Sequence, residues 1–142
     1  MIVYCDTSAL MKLFVDEKFS AMVRKACKSA TYVAVSQITW VEMFAALSLK
    51  QRTGHIDSAV SDRTLSEVRD EWNRYQKLGI DQALIVQAGN FAQQFGLRAY
   101  DSVQLATARA IHQQLGSSMA MCCFDQQLNA AAGKLGIPVM QP

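Results

Sequence analysis

The fold of this chain is decided by residues 2–10, which read IVYCDTSAL. The first four residues are apolar and suited to a pleated surface, so they predict a short buried strand. Asp6, Thr7 and Ser8 have side chains that cap helices well, and a helical pattern runs from Ala9 to Phe14. The stretch therefore predicts a strand, a turn and a helix in direct succession.

The same alternation of strand and helix continues to the end of the chain. Strands are predicted over residues 2–5, 32–35, 75–80, 119–124 and 136–139. Helices are predicted over residues 9–14, 20–28, 38–54, 56–76, 82–95, 102–115 and 126–135. Because parallel strands need a long crossover connection, this order predicts an α/β fold. Its central, mainly parallel sheet would carry helices on both faces, in three α/β/α layers.

Two of the predicted helices meet at Gly54 and would form a helical hairpin arm. The second of them is highly charged, and its apolar face would consist of Ala59, Leu65, Val68 and Trp72. No repeat, linker or low-complexity tract interrupts the chain. At 142 residues, it is expected to fold as one domain spanning residues 1–142.

The composition argues against several classes of protein. Apolar residues make up 51% and charged residues 18%, which is ordinary for a globular protein, and the net charge of +2 says little about partners. The four cysteines form no CxxC pair, which argues against a zinc knuckle or a disulfide framework. The chain shows no signal-peptide pattern, and no apolar run approaches the ~20 residues of a membrane span. A cytoplasmic protein with reduced cysteines and no membrane contact is expected.

Four acidic side chains stand out by their position. Asp6, Asp101 and Asp125 each precede a predicted helix, and Glu42 lies about one turn into a helix among apolar neighbours. Each has a structural alternative, since Asp is a favoured helix cap and Glu42 could pair with an arginine. The ends of parallel strands meet at one edge of a sheet, so Asp6 and Asp125 converge if their strands are neighbours. Together the four acids, without a histidine cluster, predict a site for Mg²⁺ or Mn²⁺.

Four segments carry a resemblance to a known family. They are residues 4–10 (YCDTSAL), 36–47 (SQITWVEMFAAL), 97–108 (LRAYDSVQLATA) and 124–128 (FDQQL). In this order they resemble the four motifs of PIN-domain ribonucleases of the VapC-like group, toxins of type II toxin-antitoxin systems. The third is the most specific match. The pattern departs at Cys123, where the family commonly has Thr or Ser, and at Gln126 and Gln127, where basic residues are frequent.

The resemblance implies a metal-dependent endoribonuclease that hydrolyses RNA phosphodiester bonds with a metal-activated water. Asp6 and Asp101 would be the principal ligands of Mg²⁺ or Mn²⁺. Glu42 would share a metal or position water, and Asp125 would complete a second, weaker site. The residues expected to orient these carboxylates are Thr7, Ser8, Ser102 and, as a poor substitute for a hydroxyl, Cys123. Helix capping is the alternative explanation for the first three.

Binding partners are indicated by weaker sequence patterns than the acidic site is. Arg24, Lys25 and Lys28 line one short predicted helix and could hold RNA phosphates, with a solvated helix face as the alternative. The resemblance also implies a small antitoxin protein as partner, and a homodimer.

Two other functions compete with the nuclease. One is a catalytically weak or inactive PIN-like domain that binds RNA or protein, which Cys123 favours and the four retained acids oppose. The other, a phospho-receiver switch, is disfavoured because Asp6 has no acidic neighbour and no lysine follows the late strand.

Overall fold

Five short strands form the middle of the molecule, and the structure, a computed structural model, describes residues 1–142. The strands are β1 (Ile2–Cys5), β2 (Tyr32–Ser36), β3 (Gln76–Leu78), β4 (Met119–Cys122) and β5 (Val139–Met140). They pair in the order β3-β2-β1-β4-β5, and every pair is parallel. The predicted parallel sheet is therefore confirmed.

Seven helices connect and cover the strands. They are α1 (Thr7–Phe14), α2 (Ser20–Ser29), α3 (Ile38–Arg52), α4 (Ser58–Glu71), α5 (Gln82–Phe95), α6 (Ala99–Leu115) and α7 (Gln126–Lys134). Short 3-10 turns follow α4 at Trp72–Arg74 and α6 at Gly116–Ser118. Each predicted strand and helix is present, although some ends differ by a few residues. None of these helices is both long enough and apolar enough to cross a bilayer.

Alternate residues of β1 face two separate cores, because successive side chains of a strand point to opposite faces of the sheet. Val3 and Cys5 belong to the core under α1–α4, where Leu10 is fully buried. Tyr4 belongs to the core under α5–α7, where Leu105 is fully buried. The sheet is covered on both faces, which confirms the three-layer α/β/α architecture.

The predicted helical hairpin is formed by α3 and α4, with Gly54 in a left-handed conformation (φ 77) between them. Val68 of α4 is fully buried in the same core as Leu10, so the arm packs into that core. One detail of its predicted apolar face is wrong, since Ala59 is exposed and Thr64 is buried. The Thr64 hydroxyl donates to Val60 O at 2.8 Å, so a polar side chain can be accommodated inside.

The order of the strands creates a crevice at one edge of the sheet. From β1 the chain adds β2 and β3 on one side, then returns to add β4 and β5 on the other. Ligands of parallel sheets bind at such a switch point, beyond the carboxyl ends of the strands. Asp6 directly follows β1, and its N–H donates to Cys122 O of β4 at 3.2 Å. The two strands expected to bring Asp6 and Asp125 together are therefore neighbours.

Candidate active site

Four acidic side chains from separate parts of the chain line one pocket at this edge of the sheet. The pocket has a volume of about 310 Å³, and its walls include Asp6, Glu42, Asp101 and Asp125. Asp6 caps α1, Glu42 lies on α3, Asp101 lies on α6 and Asp125 caps α7. The structure thus brings together the four acids that the sequence singled out.

Asp6 is the most buried of the four, with 4% of its surface exposed. Its Oδ1 accepts hydrogen bonds from Ala9 N at 2.9 Å and from Ser8 Oγ at 2.7 Å. Burial raises the pKa of the Asp6 carboxyl to about 6, and the charge of Glu42 adds to this effect. The two hydrogen bonds and the Cys123 thiol oppose it. A carboxylate in this environment gains from a nearby cation.

Glu42 is half-buried, and two side chains hold its Oε1. Thr7 Oγ1 donates to it at 2.9 Å, and Gln104 Nε2 donates at 2.8 Å. Neither partner carries a charge, so Glu42 is not held by the arginine that was the structural alternative. Its other oxygen, Oε2, accepts no hydrogen bond from the chain.

Gln104 is a residue that the sequence analysis missed. It is 1% exposed, and its Nε2 also lies 3.2 Å from Thr7 Oγ1 and 2.9 Å from Thr39 Oγ1. Its Oε1 accepts from the hydroxyl of Tyr4, whose pKa burial raises, so that hydroxyl remains protonated. The only available signal was an amide in the middle of an apolar helical run. Gln104 therefore connects β1, α1, α3 and α6 beneath Glu42.

Asp101 does not precede its helix, which corrects the sequence-based expectation. Helix α6 begins at Ala99, and its N-terminal cap is Arg98, which makes no side-chain capping bond. Asp101 therefore lies inside the first turn, where the helix dipole stabilises an acid. Arg98 Nε donates to Asp101 Oδ2 at 3.1 Å, which supports the earlier start of the helix and leaves Oδ1 without a hydrogen bond from the chain.

Asp125 accepts a capping hydrogen bond on Oδ1 from Leu128 N at 2.8 Å. Cys123 is fully buried, and its Sγ accepts from Asp125 N at 3.3 Å. Burial raises the pKa of the Cys123 thiol, so it stays neutral. The thiol therefore holds the backbone of Asp125, and nothing but the helix cap holds its carboxylate.

Of the other residues expected to orient the acids, Thr7 and Ser8 contact them directly, as described above. Ser8 Oγ also accepts from Phe124 N at 3.0 Å, which ties α1 to the segment after β4. Ser102 makes no hydrogen bond to an acid. Its buried hydroxyl donates to Arg98 O at 2.9 Å, a bond within the first turn of α6, so Ser102 does not act as a helix cap either.

The basic residues expected to bind RNA do not line this pocket. Arg24, Lys25 and Lys28 are exposed on α2, and Arg24 forms an ion pair with Asp16 at 3.1 Å.

The cations of the pocket are three others: Lys12, Lys50 and Arg98. Lys12 lies four residues after Ser8, and Lys50 lies eight residues after Glu42. Such spacings keep side chains on one side of a helix, so the sequence could have predicted that both lysines lie on the same side as Ser8 and Glu42.

The fold and the pocket can be compared with known proteins. The family model for the PIN domain matches residues 3–134. The chain belongs to the PIN-domain family. The matched residues include all four acids of the pocket. Among relatives of this PIN domain, ribonuclease VapC46 of Mycobacterium tuberculosis is 29% identical over 140 residues, which cover 99% of this chain and 97% of that protein. Ribonuclease VapC45 of the same species is 24% identical over 138 residues, which cover 97% and 94%.

Solved structures share the PIN fold. VapC20 of Mycobacterium tuberculosis, described as a sarcin-ricin loop cleaving toxin, superposes with a TM-score of 0.70 at 16% identity and covers 99% of both chains. A toxin-antitoxin complex from Klebsiella pneumoniae gives a TM-score of 0.66 at 21% identity, covering 98% of this chain and 96% of that one. At these identities the likeness establishes the fold, and the expected PIN-like architecture is confirmed.

The donor atoms of this PIN domain suit a divalent cation. All four acids offer hard carboxylate oxygens, which Mg²⁺ and Mn²⁺ prefer. Glu42, Asp101 and Asp125 each keep one oxygen without a hydrogen bond from the chain. No three His, Cys, Asp or Glu side chains are grouped tightly enough to hold an ion. The residues therefore fit such a cation in chemistry, and binding requires the acids to approach one another.

Proposed function

We propose that this PIN domain is a metal-dependent endoribonuclease that hydrolyses RNA phosphodiester bonds, and that it is the toxin of a toxin-antitoxin pair. The observation that carries the proposal is the single pocket lined by Asp6, Glu42, Asp101 and Asp125 from four different helices or helix caps. The two relatives from Mycobacterium tuberculosis are named ribonucleases, and VapC20 is described as a toxin. The proposal includes residues 1–142 acting as one domain.

Asp6 and Asp101 would be the principal ligands of Mg²⁺ or Mn²⁺. Glu42 would share the ion or position water, and Asp125 would complete a second, weaker site. When bound, the cation supplies an activated water and neutralises negative charge on the scissile phosphate.

The chain's own contacts orient these acids before substrate binds. Ser8 and the N–H of Ala9 hold Asp6, while Thr7 and Gln104 hold Glu42. Groups fixed in this way need little rearrangement during reaction, which is how a preorganised site accelerates a charged transition state. The Asp125 carboxylate has fewer such contacts, in keeping with the weaker site.

The proposed partners follow from the relatives. The solved structures include a toxin-antitoxin complex from Klebsiella pneumoniae, and VapBC2 from Rickettsia felis bound to a DNA fragment from its promoter. For this chain we expect RNA as substrate, a small antitoxin protein as inhibitor and a homodimer as the assembly, in the cytoplasm.

The test is cleavage of labelled RNA by the purified protein, with Mg²⁺, Mn²⁺ or EDTA. Wild type is compared with Asp6→Asn and Asp101→Asn. Asp81→Asn is the matched control, because Asp81 caps α5 through Leu84 N at 2.8 Å and lies outside the pocket. The expected result is cleavage that requires the metal, is lost in both pocket variants and persists in the control.

The opposite result has a defined meaning. If folded wild-type protein, freed of any antitoxin, cleaves none of several RNA classes with either metal, the nuclease proposal is wrong. The competing interpretation, an inactive domain that binds RNA or a protein, then takes its place.

A further inference from the structure

A cluster of opposite charges shares the pocket with the four acids. Lys12 Nζ lies 3.0 Å from Glu17 Oε1, and Lys50 Nζ lies 3.9 Å from Glu17 Oε2. All three residues line the pocket. One carboxylate thus lies between two ammonium groups and neutralises only one of their two charges. This corner of the pocket retains a net positive charge.

Lys12 is held firmly in this position. Its side chain is 12% exposed, and Nζ lies 4.7 Å from the centre of the Phe124 ring as well as beside Glu17. Phe124 in turn stacks on Phe19, with ring centroids 5.4 Å apart. Phe19 adopts a left-handed backbone conformation (φ 70), which is uncommon for a residue other than glycine. The loop that carries Glu17 is therefore packed around the Lys12 ammonium group.

The ammonium group of Lys50 remains free to bind an anion. At 3.9 Å its ammonium group is too far from Glu17 for a hydrogen bond, so its donors are available. Its side chain is 33% exposed, and the Glu17 side chain is 31% exposed, so an incoming anion can reach both.

The two lysines lie at a defined place relative to the acids. Lys12 is six residues from Asp6, which is about 9 Å along a helix, and Lys50 is eight residues from Glu42, or about 12 Å. Both lysines pair with Glu17 and neither pairs with any of the four acids, so an anion bound by both lysines would lie beside the carboxylates and would not be the phosphate that is hydrolysed. A strand of RNA in the pocket presents further phosphates along its backbone, and one of these can reach the lysines.

We propose that Lys12 and Lys50 form a phosphate-binding subsite for the RNA strand beyond the scissile bond, and that the Glu17 carboxylate occupies this subsite in the free protein. The carboxylate of Glu17 places two anionic oxygens between two ammonium groups, as the non-bridging oxygens of a phosphodiester would. RNA binding displaces the Glu17 side chain toward solvent. The subsite rests on the proposed function, because it takes RNA as the ligand of the neighbouring acids.

A structural ion pair is the competing explanation, in which Glu17 only anchors its loop to α1. The two explanations predict different directions for the effect of losing Glu17 on RNA binding. In a structural ion pair, loss of Lys12 and loss of Glu17 break the same contact and affect RNA binding in the same direction. In the subsite, Lys12 attracts the phosphate and Glu17 competes with it, so the two losses have opposite effects.

The experiment measures binding of labelled single-stranded RNA at several salt concentrations. All variants carry Asp6→Asn, which prevents cleavage and keeps the helix cap, because Asn caps as well as Asp does. The compared variants are Lys12→Gln, Lys50→Gln, Glu17→Gln and, as control, Lys134→Gln on an exposed part of α7. Lys12→Arg tests rescue by charge, and thermal unfolding of each variant is recorded.

Lys12→Gln and Lys50→Gln are expected to weaken binding, each lowering the slope of log K against log salt by about 0.7, the value for one phosphate contact with a single strand. Glu17→Gln is expected to tighten binding several-fold, and Lys134→Gln to change neither quantity. If Lys12→Gln destabilises the fold, the half-buried Lys50 and Glu17 variants still show whether the two losses have opposite effects on RNA binding.

The subsite is overturned if the salt slope is unchanged in both lysine variants, or if Glu17→Gln weakens binding as they do. Cleavage by the wild-type chain is measured separately. If the wild-type chain cleaves RNA but the slope is unchanged in the lysine variants, the nuclease proposal stands and the subsite is wrong. If the slope changes but no RNA is cleaved, the lysines bind RNA and the nuclease proposal is wrong.

Discussion

Asp6 directly follows β1, the central strand, whose side chains enter both cores of the molecule. Hydrogen bonds from Ser8 and the N–H of Ala9 favour its charged form, yet burial has the larger effect and sets the pKa at about 6. The ionised side chain therefore opposes folding near neutral pH unless a cation compensates it. The same burial that destabilises the charge makes the position suitable for a metal ligand.

The Asp6→Asn variant is expected to be more stable than wild type in EDTA at pH 7. The folded-state pKa of about 6 is above the ordinary value of 3.8, so the folded protein binds more protons between these values and wild-type stability falls as pH rises through them. The difference between the proteins should reach about 3 kcal/mol at pH 7 and vanish below pH ~3. Urea unfolding at both pH values measures it. A wild type that is the more stable protein at pH 7 would contradict the assignment.

At the level of elements, helix α6 contributes two residues to the pocket and its support. Its first turn carries Asp101, and one turn further Gln104 reaches beneath Glu42 of α3. Seven successive residues of this helix, 102–108, are buried, so its position is set by packing on both sides. The orientation of Glu42 therefore depends on how α6 is seated against α1 and α3.

Replacing Gln104 by Leu should remove the orientation of Glu42 with little change in side-chain volume. Glu42 loses one donor and the buried Tyr4 hydroxyl loses its acceptor, which is expected to lower stability by about 1–3 kcal/mol. RNA cleavage should lose kcat more than it changes KM, because Gln104 positions a catalytic group and does not touch substrate. Gln113→Leu, at an exposed position of the same helix, is the control. An unchanged kcat in Gln104→Leu would show that Glu42 needs no such support.

At the scale of the whole molecule, two cores share one sheet. The core under α1–α4 and the core under α5–α7 each contain alternate residues of β1 and β4. Because neither group of helices can bury its apolar face without these strands, the two halves are expected to fold together.

A single unfolding transition is therefore expected for the whole chain. Leu10→Ala in one core and Leu105→Ala in the other should each lower the free energy of unfolding by about 2–5 kcal/mol, since both side chains are fully buried. In both variants, circular dichroism and tryptophan fluorescence should report the same midpoint. Leu49→Ala, at an exposed position on α3, should change stability by less than ~0.5 kcal/mol. Two separate transitions would contradict the expectation of one domain over residues 1–142.

The order of strands and helices could be predicted from the local pattern of apolar residues and helix caps. The run before Asp6 is a strand because its residues are apolar and β-favouring, and Asp6 and Asp125 cap helices because short acidic side chains accept backbone N–H bonds. These features depend on neighbours along the chain, so the sequence by itself determined them, together with the α/β class and the identity of the four acids.

Only the tertiary structure decided the contacts between elements. The pairing of β1 with β4, the hydrogen bond from Gln104 to Glu42 and the approach of Lys50 to Glu17 all join segments distant in sequence. Local pattern encodes which face of a helix is buried, but not which partner covers it. The partner is determined when the elements pack together, because close packing and the pairing of buried polar groups depend on residues that are distant in sequence.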